Sequence, residues 1–308
     1  MSALQQALRN YLELRRALGF KLKRHGALLP GFVASVEASG SSVITTAAAL
    51  AWATKPSRAT AKWAADRLAM VRAFAAYVQT LDPRTEVPPQ ELLSHPPRRK
   101  SPPYIYSDEE VEAVMDATDR ITDPFRAHTY RTVVGLLAST GMRVGEAIAL
   151  DRSALDGEEG VITVRNGKFG KSRAVPLHPQ ASSALEEYAR HRDRRFRRSA
   201  SPAFFLSLVG SRLIYSNVHQ TFFRLVAAAG LADRVPHRPR IHDLRHTFAV
   251  RTLVEWYRAG LDVESRLPLL STYLGHVNPS TTYWYLAAAP ELLGAAAERL
   301  EESLGKLP

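Results

Sequence analysis

Apolar residues recur at helical spacing through the first eighty positions of the chain. Leu4, Leu8, Tyr11, Leu12 and Leu14 roughly share one face, and Gly19 ends that segment. Phe32, Val33 and Val36 predict a second helix that stops near Gly40. Thr45 and Thr46 followed by the alanine-rich run AAALAWAT predict a third. A fourth starts at about Ser57 and is carried by Trp63, Leu68, Val71, Phe74 and Val78. Nothing in this region predicts a strand.

The pattern breaks at DPRTEVPPQELLSHPPRRKSPPY, residues 82–104, which holds seven prolines and three consecutive basic residues. Proline at that density prevents regular structure and predicts an extended, stiff connector. Periodicity resumes at SDEE, where Ser107 as N-cap and Glu110 three residues on fit a capping box. Helices are predicted near 108–118, 124–139, 143–150, 179–192, 216–229, 242–258, 263–273, 280–286 and 290–303. The exception is VITVRNGKFGKSRAVPL, where two β-rich runs flank a glycine- and lysine-bearing turn and predict a hairpin. The fold expected is mainly α with a small β-hairpin (α+β). It comprises a helical domain over residues 1–82, a connector over 83–104, and a second domain over 105–308 that closes with an amphipathic helix at 290–303.

Charge narrows the partners. The 308 residues carry a formal net charge of +11, which favours a polyanion, and nucleic acid is the commonest one. Arg98, Arg99 and Lys100 in the connector, and the run RHRDRRFRR at 190–198, suit phosphate contacts that do not read sequence, or else simply solvated surface. The absence of cysteine excludes disulfides, thiolate nucleophiles and thiolate zinc sites. No apolar run reaches the roughly 18 residues of a membrane span, and the N-terminus lacks a signal-peptide core, so a cytoplasmic protein is expected.

Four short pieces carry candidate chemistry, and each is ordinary alone. In STGMRVGEAIAL, Gly141 breaks a helix, and Arg143 and Glu146 share a face as an i,i+3 ion pair. Lys168 sits in the hairpin turn RNGKFGK. In HDLRH, His242 and Arg245 are three apart on one face. LGHVNPSTTYWYL holds His276, Tyr283 and Tyr285. Tyrosines two apart on a regular helix point about 200° apart, so only one can reach a given phosphate; geometry alone does not say which.

In this order the pieces resemble the tyrosine recombinases, the family of phage integrases and Xer-type resolution enzymes. The resemblance covers residues 105–290 in detail, and the helical first domain looks like the family's core-binding domain. It implies a C-shaped clamp of two domains on DNA. It makes Arg143, Glu146, Lys168, His242, Arg245 and His276 catalytic. The nucleophile becomes Tyr285, nine residues after His276, and His246 and Lys171 fall beside motif positions without occupying them. Phosphate contacts are expected at Arg98, Arg99, Lys100, Lys171 and Arg173. No cofactor or metal is implied, since the arginines supply the charge. The partners implied are double-stranded DNA with specific recombination sites and further copies of the chain, a dimer on a site and a tetramer in synapsis, joined by exchange of the C-terminal helix. Sister recombinases are a further option, in a bacterial-type, nucleoid-associated setting. The readings in competition are a non-cutting DNA-binding partner in such an assembly and a topoisomerase-like nicking and rejoining enzyme. A metal-dependent nuclease is disfavoured, because no clustered carboxylates emerge.

Overall fold

The computed structural model describes residues 2–55, 60–93, 103–165, 172–197, 201–234, 238–276, 282 and 294. The chain divides into two compact units, residues 1–100 and 101–308. Among the described residues, no helix is long and apolar enough to cross a membrane.

The first unit holds α1 (Ala3–Ala17), α2 (Lys23–Ala38), α3 (Thr46–Thr54) and α4 (Ala61–Gln79). Ser2, Thr45 and Thr60 each turn a side-chain oxygen back on the third following N–H, which sets the starts of α1, α3 and α4. Leu8, Leu29, Phe32, Val33, Leu68, Val71 and Phe74 are buried together, so the apolar positions read from the sequence form one core. Residues 83–93, expected as free connector, belong to this unit instead. Arg72 donates to the carbonyls of Pro88 and Pro89 at 2.7 and 2.6 Å, Glu86 accepts from the Thr46 N–H at 2.7 Å, and Val87, Leu92 and Leu93 pack on the core. A proline-rich segment has free carbonyls and few N–H groups, so a guanidinium on a neighbouring helix is a fitting partner for it.

The second unit runs α5 (Asp108–Asp116), a 3-10 turn, α6 (Pro124–Thr140), α7 (Val144–Ala149), β1 (Leu155–Asp156), β2 (Val161–Val164), β3 (Arg173–Pro176), α8 (Pro179–Arg195), α9 (Tyr215–Ala228), α10 (Asp243–Arg258) and α11 (Val263–Leu274). The capping box at α5 is formed: Glu110 N–H donates to Ser107 Oγ at 3.2 Å and Ser107 N–H to Glu110 Oε2 at 3.0 Å. The sheet is antiparallel in the order β1-β2-β3, so the expected hairpin gains a two-residue strand at its edge. Its loop, 166–171, and the expected helices at 280–286 and 290–303 lie outside the described residues, apart from Thr282 and Gly294, which are helical. α6 lies against both α8 and α10, and Val133, Val134, Leu137, Leu185, Tyr188 and Leu244 fill the centre of the core.

Left-handed glycines cap two of these helices. Gly141 ends α6 at φ 59° and Gly275 ends α11 at φ 68°. Gly141 is doubly constrained, because a Cβ there would sit 2.6 Å from Phe248 Cδ1. Gly260 has a similar φ of 69°, but its Cβ would meet nothing within 4 Å. Gly141→Ala should therefore cost about 2–4 kcal/mol from backbone strain and overpacking together, and Gly260→Ala only the strain. Urea denaturation followed by circular dichroism reads the difference; equal losses would mean that Phe248 yields freely.

Candidate active site

Arg143 precedes α7 with an extended backbone, φ −72° and ψ 140°. One turn on, Glu146 accepts the Arg143 N–H at 3.1 Å on Oε2 and the Arg143 guanidinium at 2.8 Å on Oε1. Arg173 on β3 donates to Oε2 of the same carboxylate at 2.8 Å. Glu146 thus receives three donors, and its side chain is only 9% exposed. Burial pushes its pKa up, but the bonds and charges of Arg173 and Arg143 outweigh that and hold it below the usual carboxylate range.

The guanidiniums continue onto the backbone. Arg173 Nε donates to Tyr273 O at 2.8 Å, Arg245 Nη2 to Leu274 O at 2.8 Å, and Arg143 Nη2 to Gly275 O at 3.0 Å. Three consecutive carbonyls at the end of α11 thereby take three arginines from three separate elements. Arg245 is 2% exposed, and its Nη1 also donates to Gly141 O at 2.8 Å, so it joins the caps of α6 and α11.

The histidines border this lattice. His242 heads α10 and is exposed, and its ring meets that of His246 edge-on at 4.9 Å. The His276 N–H donates to Ser271 O at 2.9 Å, and its Nδ1 lies 2.7 Å from the hydroxyl of Thr282, a fully buried residue. Crowding and the neighbouring cations lower all three pKa values: for His242 desolvation and then Arg245, for His276 desolvation with Arg245 and Arg143 to about 4, and for His246 desolvation with His242 and Arg240 to about 3. The α10 start is fixed by Asp243, which is wholly buried and accepts from Arg240 N, Nε and Nη2 at 2.8, 3.2 and 2.9 Å.

Of the residues expected from the sequence, Arg143, Glu146 and Arg245 are brought together on the α11 terminus, and His276 follows directly from it. Arg173, expected on phosphate, is instead turned inward, with its guanidinium held by Glu146 and Tyr273 O and its side chain 13% exposed. The sequence does carry a signal for this, since Arg173 shares a strand face with buried Val175. Thr282 and Asp243 belong to the site without being expected there. Lys168, Lys171, Tyr283, Tyr285, Arg98, Arg99 and Lys100 lie outside the described residues. Among the described residues, no group of three or more His, Asp or Glu is arranged to hold a metal ion.

Comparison with known proteins gives a consistent set of likenesses. Residues 105–291 match the phage integrase family. A putative integrase/recombinase, y4rB, of Sinorhizobium fredii is 44% identical over 98% of both chains. The tyrosine recombinase XerC of Chlamydia caviae is 28% identical over 66% of this chain and 61% of that one. The Tn1549 transposon integrase in complex with transposon right end DNA superposes with a TM-score of 0.63 at 19% identity, over 98% of this chain and all of that one, which shows a shared fold.

The lowered histidine values have a consequence for stability. Unfolding returns each ring to about 6.5, so between there and the folded values the unfolded state binds more protons. Stability therefore rises with pH in that window and falls as pH drops below about 6.5. Melting temperature followed from pH 7.5 to pH 5, above the range where most carboxylates titrate, should decline, and less steeply in His246→Gln. A slope unchanged by that substitution would show that His246 does not titrate with unfolding.

Proposed function

The chain belongs to the phage integrase family of tyrosine recombinases, and we propose that it cuts and rejoins DNA at specific sites through a 3′-phosphotyrosyl intermediate on Tyr285. The observation that carries this reading is the arginine lattice. Two guanidiniums, Arg143 and Arg245, are held beside His276 on the segment that leads to Tyr285. Phosphoryl transfer leaves little covalent work for a protein beyond positioning and charge stabilisation, and this arrangement suits both.

In the proposed step the Tyr285 oxygen attacks phosphorus, a P–O bond to tyrosine forms, and the P–O bond to the 5′-oxygen breaks. Arg143 and Arg245 stay charged at any working pH, and their positive charge stabilises the non-bridging oxygens. His276 adds a donor there. The phenolic proton passes toward His242, whose neutral ring can accept it. Lys168 protonates the leaving 5′-oxygen, for which neighbouring cations would lower its pKa toward a useful range. Glu146 orients Arg143 and takes no proton itself. The guanidiniums supply the charge stabilisation that a bound metal supplies elsewhere, so cleavage should persist in chelator. The two units are proposed to clamp double-stranded DNA, and copies of the chain to assemble through the apolar positions Leu292, Leu293, Ala296 and Leu300 of the C-terminal segment.

Incubation with a nicked suicide substrate in chelator tests the nucleophile. Wild type and Tyr283→Phe should trap a covalent protein–DNA adduct, and Tyr285→Phe should trap none. An adduct in Tyr285→Phe that vanishes in Tyr283→Phe would move the nucleophile two residues back.

The acid is tested with a 5′-bridging sulfur, a leaving group that needs little protonation. Lys168→Ala should cleave normal DNA at least about 100-fold more slowly and recover most of that rate on the sulfur substrate. Rescue of Lys171→Ala instead would reassign the acid.

A further inference from the structure

His276 is held from two directions. Its backbone N–H is pinned to Ser271 O at 2.9 Å by the cap of α11, and its ring Nδ1 meets the Thr282 hydroxyl at 2.7 Å, six residues further on. Thr282 is completely buried, so bulk water does not compete for the hydroxyl. Threonine is branched at Cβ and restricted at χ1, which limits where its hydroxyl oxygen can sit.

A neutral imidazole carries one proton, and the partner of one nitrogen decides where it sits. Burial and the fields of Arg245 and Arg143 keep the His276 ring neutral at physiological pH. Were the Thr282 oxygen to accept from Nδ1–H, Nε2 would carry a lone pair, which repels a phosphate oxygen. Were the hydroxyl to donate to Nδ1, Nε2 would carry the hydrogen. Only the second arrangement leaves the ring an N–H to donate away from Thr282. Its pinned backbone and its hydroxyl partner together fix the direction in which that donor points.

We propose that Thr282 is a positioning residue whose hydroxyl donates to Nδ1 of His276, fixing the ring in the tautomer that offers Nε2–H to the scissile phosphate. This rests on the reading of His276 as a phosphate donor. The same bond ties His276 to a residue three positions before Tyr285, so the donor and the proposed nucleophile share one short stretch.

Nitrogen NMR of the full chain labelled with ring-15N histidine tests the tautomer, with the His276 signals identified by their loss in His276→Gln. Wild type should show a pyridine-like Nδ1 and a pyrrole-like Nε2. Thr282→Val, equal in shape but without the hydroxyl, should lose that preference. Its single-turnover cleavage at saturating DNA should fall by about 10- to 100-fold, the usual effect of removing an orienting partner, with DNA affinity unchanged. Thr282→Ser should restore both readouts. A pyrrole-like Nδ1 in wild type overturns the proposal whatever the variants do, and so does a Thr282→Val protein that keeps its Nε2–H ring and full rate. An Nε2–H ring lost in Thr282→Val, in a wild type that forms no covalent DNA adduct, would support the action of Thr282 on the ring and overturn the cleavage reading alone.

Discussion

The end of α11 is the point on which the second unit's chemistry is built. A helix terminus leaves carbonyls without intrahelical donors and concentrates partial negative charge there. Tyr273, Leu274 and Gly275 present three such carbonyls in succession, and each takes a different guanidinium, from β3, from α10 and from the start of α7. Bonds of this charge-assisted kind contribute about 1.5–3 kcal/mol each when both partners are in place, and a buried charge stripped of its partner costs more. The end of α11 therefore cannot shift without disturbing three arginines at once, and none of the arginines can shift without leaving a carbonyl bare.

That constraint explains the charge balance of the site. Arg143 and Arg173 share the carboxylate of Glu146, Asp243 is taken up by Arg240, and Arg245 is bonded to backbone carbonyls. Neutral carbonyls orient a guanidinium without cancelling its charge, so the site stays positive while remaining ordered. Desolvation first, and then the neighbouring cations, lower the pKa values of His242, His246 and His276, since a further proton would add a poorly solvated cation to a cluster already rich in them. A region built this way is incomplete in charge and complete in geometry, which is the condition under which an incoming anion is stabilised with little rearrangement.

Elements governed by one local rule are legible in the sequence. The apolar stripes specify α1 to α4, because most of these are long periodic segments, and Ser107 with Glu110 marks α5 through a capping box that needs only four residues. Local rules fail where two elements decide jointly. β1 has two residues, too few for any alternation to show, and exists because β2 offers it an edge. Residues 83–93 look like connector because prolines forbid regular structure, yet Arg72 of α4 and the α3 start hold them in place. Arg173 looks like a surface cation by its company of lysines, although its two-residue spacing from Val175 puts it on the inner face. Thr282 gives no signal, since a threonine in a polar run is legible as a histidine's partner only once the fold brings its hydroxyl to Nδ1.

The stretch LGHVNPSTTYWYL gathers these constraints into thirteen residues. Leu274 and Gly275 receive arginines, His276 continues the helix cap, and Thr282 holds the His276 ring from the far side. Gly275 is required at the turn for two reasons: its φ is positive, and a Cβ would lie 2.9 Å from Arg173 Nη1. A side chain there would crowd the guanidinium of Arg173, which bonds to Tyr273 O and Glu146. The glycine beside the histidine is therefore part of the electrostatic design as well as a backbone hinge. Its small size lets β3 close on the helix end, where Arg173 reaches Tyr273 O and Glu146.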